Sequence, residues 1–169
     1  MHQGSSSPVI EESRGIGAAL PLAVFGGFVG AILGGIIWAV VGVVTEYEVA
    51  YVAIIVGVLA GGGVVVIGRE RGAIYQLIAV GMSILGLFIG KYYLYYHFSR
   101  SAIVDELGQS AWDALGLSLF SSEMIEFFFE DLGDILAAMD LVFFGLAILV
   151  AWGIPSIKNG QKTAPTTSE

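Results

Sequence analysis

The sequence predicts an all-α polytopic membrane protein, a four-transmembrane-helix bundle with amphipathic surface helices between spans 3 and 4. Two observations on composition and patterning carry that class. Hydrophobic residues make up 56% of the chain and charged residues 13%, with a mean hydropathy of +0.84, whereas a soluble domain carries about 25% charged residues. The apolar residues fall into stretches of about 20, the length that crosses a hydrocarbon core about 30 Å thick. Backbone polar groups in lipid must be paired within their own segment, so stretches this apolar and this few are helices. At 169 residues the length is that of one domain.

Residues 1–15, MHQGSSSPVIEESRG, are polar and lack the basic start of a cleavable signal, and they read as a flexible N-terminal tail. The apolar segment that follows is longer than a signal h-region and is expected to stay as a span. The membrane domain is expected over 16–157. Span 1 covers about 21–44, with Pro21 in a first turn, where a proline removes no internal hydrogen bond. After the turn Thr45-Glu46-Tyr47-Glu48, span 2 covers about 49–68 and ends at the charged turn Arg69-Glu70-Arg71-Gly72. Span 3 covers about 73–93. The rings of Tyr92, Tyr93, Tyr95, Tyr96 and Phe98 then mark a membrane boundary, since amphipathic aromatics gather at the headgroups. Span 4 covers about 135–154, closed by Pro155, and 158–169 is a polar tail expected to be disordered.

The 98–134 segment is too long for a plain connector. Ile103, Val104, Leu107, Ala111, Trp112 and Leu115 recur at helical spacing, which predicts an amphipathic helix weakened at Gly108. A second helix is expected from the N-cap pair Ser121-Ser122. Its acidic stripe is Glu123, Glu126, Glu130 and Asp134, opposite Met124, Ile125, Phe128, Phe129 and Leu132. That stripe is a solvated face or a surface for a basic partner.

Lys/Arg bias sets orientation. Arg14, Arg69, Arg71, Lys158 and Lys162 fall on the side of the termini, and Lys91 and Arg100 on the other. The expected location is a cell (inner) membrane, multi-pass, with both termini cytoplasmic and the acidic loop outside.

Gly26, Gly30 and Gly34 on span 1, Gly57 and Gly61 on span 2, and Gly86 and Gly90 on span 3 repeat at intervals of four. Small residues so spaced let helix backbones approach closely. They pack the helices of one chain or of several. Gly61 to Gly63 lack the Lys and Ser/Thr of a phosphate-binding loop.

Lys91 and Asp140 are the ionisable residues inside spans, at matching depth, and they are expected to pair. As a latch the pair orients span 4 on span 3; as a relay it moves ions or protons together with Glu46 or Glu48. Glu46, Glu48 and His97 form an outer-face polar cluster without metal-site spacing. Ser83 and Gln76 are neutral polar residues of span 3, and Ser83 is about 12 Å along the helix from Lys91, too far for a Ser-Lys dyad. Cysteine is absent, which excludes disulfides and thiolate chemistry. No catalysis, cofactor, metal or nucleic-acid partner is expected.

The runs GGIIWAVVGVVTEYEVAYVA, GKYY and DLVFFGLAILVAWGIP resemble those of uncharacterised small multi-span bacterial membrane proteins, some of which carry a zinc ribbon before the spans. This chain has no cysteines for such a ribbon, and the resemblance implies no functional residues. The expected function is a non-catalytic accessory or assembly subunit that packs with other membrane subunits, or with itself, through glycine-rich spans and the acidic loop. The alternative is a small oligomeric transporter or channel using Lys91, Asp140 and the outer glutamates.

Overall fold

The computed structural model describes residues 9–47, 50–136 and 138–156. Glu48 and the 158–169 tail with Lys158 and Lys162 lie outside the described residues. Every element among the described residues is a helix: α1 (Val9–Thr45), α2 (Ala50–Gly68), α3 (Ala73–Leu107), α4 (Gln109–Leu115), α5 (Ser122–Glu130), α6 (Leu132–Ile135) and α7 (Ala138–Ser156). Four stretches, Ala19–Thr45, Ala50–Gly68, Ala73–Leu107 and Met139–Ser156, are long and apolar enough to cross a membrane. The chain is an all-α polytopic bundle.

Three boundaries differ from the sequence expectation. Helix α1 begins at Val9, so half of the segment expected as a flexible tail is helical and Pro21 stands inside the helix. There its missing N–H removes one internal hydrogen bond. Helix α3 does not stop at the aromatic boundary but continues to Leu107, because no residue between Tyr93 and Leu107 breaks a helix. It ends at Gly108, whose φ of 86° and ψ of 161° only glycine adopts readily. The fourth span starts at Ala138 rather than 135. Leu136 is extended, with ψ 92°, and the Ile135 carbonyl accepts a hydrogen bond from Lys91.

Helices α2 and α3 form a central pair, flanked by α1 on one side and α7 on the other. Trp38 of α1 and Phe143 of α7 reach each other edge to face, with ring centroids 5.5 Å apart. They belong to one core layer with Val52, Val56, Leu87 and Leu94. A second layer, nearer the opposite end, holds Ala23, Val64, Tyr75, Ala79 and Ala151.

Close backbone approach makes these layers thin. A Cβ on Gly26 would overlap the Gly63 carbonyl, and one on Gly30 would overlap that of Leu59. On Gly34 it would meet Val56, on Gly57 the Ala147 carbonyl at 2.5 Å, and on Gly61 the Ala151 Cα at 3.2 Å. On Gly86 it would meet the Ala31 carbonyl at 2.9 Å, and on Gly90 the Trp38 ring at 2.8 Å. The spaced glycines therefore face α2 from α1, α7 from α2, and α1 from α3, all within one chain.

Candidate functional site

Gln76, Ser83 and Lys91 are buried and recur about every two turns, which sets them on one stripe of α3. At the end of the bundle that carries α4 to α6, Lys91 Nζ lies 2.8 Å from Asp140 Oδ1, with the side chains 6% and 3% exposed. The same ammonium donates to the Ile135 carbonyl at 3.3 Å. Asp140 occupies the first turn of α7, where the helix N-terminus favours a negative charge. The carboxylate is thus held by a cation on α3 and by the dipole of its own helix. It is also nearer the start of its helix than span limits of 135–154 implied.

At the opposite end, Gln76 Nε2 donates to the Trp152 carbonyl and Arg71 Nη1 to the Ile154 carbonyl, each at 3.1 Å. Ile154 lies in the last described turn of α7, where carbonyls lack internal donors, so Arg71 supplies a partner there, while Gln76 adds a second donor to the Trp152 carbonyl just before it. Helix α7 is pinned at both ends by the α3 stripe and the turn before it. In the sequence Arg71 was only a turn charge and Gln76 had no partner; a buried amide within an apolar span was the signal.

Between these ends Ser83 Oγ donates to the Val80 carbonyl at 2.8 Å. The hydroxyl is therefore satisfied locally.

The α4 to α6 segment is fastened to the extension of α3. Tyr92 Oη donates to the Leu119 carbonyl and Tyr95 Oη to Asp131 Oδ2, both at 2.6 Å. Phe128 packs edge-on between the two tyrosine rings at 5.2 and 5.6 Å, and Trp112 packs on Tyr96 at 5.8 Å. Ser121 caps α5, accepting from the Met124 amide at 3.4 Å. Glu123, Glu126 and Glu130 are exposed on α5. The expected stripe is interrupted before Asp134, which falls on α6 because Asp131 ends α5 with its carboxylate turned to Tyr95.

His97 stacks on Tyr93 with centroids 6.4 Å apart, and Glu46 sits exposed in the α1–α2 turn at φ 57°. Among the described residues no hydrogen bond or ion pair joins them, and no group of three potential metal ligands forms. Of the expected cluster of Glu46, Glu48 and His97, Glu48 lies outside the described residues.

Crevices line α3 near the same end. One of about 590 Å³ lies between α1 and α3, roofed by Leu119 and Phe120, and one of about 430 Å³ lies between α3 and α5. A third, of about 240 Å³, is bordered by Lys91, Tyr95, Ser99 and Ile135. Compared with known protein families, with curated proteins and with solved structures, the chain matches none.

Proposed function

We propose that the chain is a non-catalytic accessory or assembly subunit of a membrane complex, docking through the α4–α5 segment. The observation that carries this reading is the pair of tyrosine hydrogen bonds, Tyr92 to Leu119 and Tyr95 to Asp131, which fix α5 while Glu123, Glu126 and Glu130 face outward. A carboxylate face already held in place loses little conformational freedom on docking, and it suits a partner carrying Lys or Arg. The buried ion pair serves this function as a latch that sets α7 against α3. From the Lys/Arg bias of the sequence, the termini are taken as cytoplasmic and the membrane as the cell (inner) membrane.

Purification of the full chain from its own membranes in mild detergent, followed by native mass measurement, tests the proposal. The expected result is a complex with other membrane subunits at fixed stoichiometry. Combined Glu123→Lys, Glu126→Lys and Glu130→Lys substitutions are expected to dissolve the complex while leaving helical content and melting temperature unchanged. The second reading, a small oligomeric transporter or channel, draws on the 240 Å³ crevice beside the Lys91–Asp140 pair. A homo-oligomer whose proton or cation flux in vesicles is abolished by Asp140→Asn would replace the first reading with the second.

A further inference from the structure

The two larger crevices share a wall. Ile89 and Tyr92 border both, so they lie side by side along α3, separated by one ridge of side chains. Both lie along Ala73–Leu107, a stretch long and apolar enough to cross a membrane. The first is bounded by Gly35, Ala39 and Val40 of α1, whose short side chains leave the space beside Ile89 and Tyr92 open. The second lies between Phe88 of α3 and Phe128 of α5.

Apolar hollows of this kind do not stay empty in a bilayer. Unfilled space forfeits dispersion contacts along its whole lining, and water has too few polar partners there to enter. Hydrocarbon chains are the filling that the surroundings supply. We propose that one two-chain lipid occupies both crevices, its chains straddling the Ile89–Tyr92 ridge, and that its headgroup is zwitterionic and carries an amine.

The roof distinguishes a held lipid from passing ones. Leu119 and Phe120 overhang the first crevice and Ile125 and Phe129 border the second, and the Tyr92 and Tyr95 hydrogen bonds hold this cover in place. Phe120 is 87% exposed in the isolated chain, a position that a chain beneath it would cover. The headgroup follows from charge. At this end Lys91 is ion-paired and Arg100 stands as a single half-buried cation, against the three carboxylates of Glu123, Glu126 and Glu130, which face out. The local field repels anionic headgroups and attracts an ammonium group.

The test uses the full chain purified in mild detergent and reconstituted into nanodiscs of equal parts ethanolamine-type and glycerol-type phospholipid, with retained lipid read by native mass spectrometry after release into detergent. The expected result is one two-chain lipid per chain, enriched about fivefold in the ethanolamine class, the upper end of what a single exposed charge contact supplies. Val40→Trp, which fills the first crevice from an exposed position, and Phe120→Ala, which removes the roof, are each expected to lower retention at least about fivefold with an unchanged melting temperature. Glu123→Lys with Glu126→Lys is expected to invert the headgroup preference. The proposal is overturned by retained lipid that mirrors the bulk mixture, or by retention indifferent to both crevice variants. It is equally overturned if Val40→Cys cross-links to a second copy or to another protein, which would put a helix where the lipid should be.

Discussion

Gly26 of α1 and Gly63 of α2 lie back to back, each so close that a side-chain carbon on either would overlap the carbonyl oxygen of the other. Association of helices in lipid rests on such packing rather than on exclusion of water. Gly26→Ala is therefore expected to destabilise the bundle by about 1–3 kcal/mol, as overpacking does in other cores. Gly62, one residue before Gly63, has open space around it. Gly62→Ala is expected to be neutral or stabilising by up to about 1 kcal/mol through helix propensity. Equilibrium unfolding in mixed micelles checks both, and equal effects at the two sites would remove the packing argument.

The Lys91–Asp140 pair calls for a double-mutant cycle. Removing one partner leaves the other buried and uncompensated, so Lys91→Met or Asp140→Leu alone is expected to cost about 3–5 kcal/mol. The double substitution replaces both with apolar groups and is expected to cost less than either single one. Strict additivity in micelle unfolding would show that the two side chains do not act on each other.

Tyr95 donates to a carboxylate, and hydrogen bonds to charged groups contribute about 1.5–3 kcal/mol. Tyr95→Phe is accordingly expected to raise hydrogen exchange of the α5 amides at least about tenfold, since each tenfold corresponds to about 1.4 kcal/mol, while α2 and α7 amides keep their protection. Exchange rising evenly through all helices would mean that Tyr95 supports the bundle as a whole rather than fastening α5.

Gly108 sets the angle between α3 and α4 through a conformation costing other residues about 1–3 kcal/mol. Gly108→Ala is expected to straighten the junction and part Trp112 from Tyr96. The corresponding observable is a change in tryptophan fluorescence with helical content preserved or increased.

Sidedness is open to labelling because the chain has no native cysteine. A cysteine at Ser118 is expected to react with a membrane-impermeant maleimide applied to intact cells. One at Arg69 is expected to react only after permeabilisation, and the reverse pattern would invert the topology.

The four apolar stretches were legible in the sequence because hydropathy needs no partner to be read. The Lys91–Asp140 contact was legible for a related reason: charges inside spans are rare, and equal depth leaves few alternatives. Where α3 would end was not legible, since an aromatic belt marks where lipid ends and says nothing about where the backbone bends; the bend waits for Gly108. The break at Leu136 was hidden for the opposite reason, because Ile135 and Leu136 extend the apolar run while their backbone turns to meet a lysine 44 positions earlier. The fastening of α5 depended on Tyr92 and Tyr95 being more than interface anchors, and nothing local in the sequence separates a ring that rests among headgroups from one that binds a carbonyl.

From Ala73 to Leu107 the polypeptide is a single rod, about 52 Å long at 1.5 Å per residue. Its far tip leads into α4, α5 lies alongside it at Tyr92 and Tyr95, and near its base Gln76 donates to the Trp152 carbonyl of α7. The rod therefore joins the α4 end of the molecule to the last residues of α7, and the buried pair of Lys91 and Asp140 lies between those two ends.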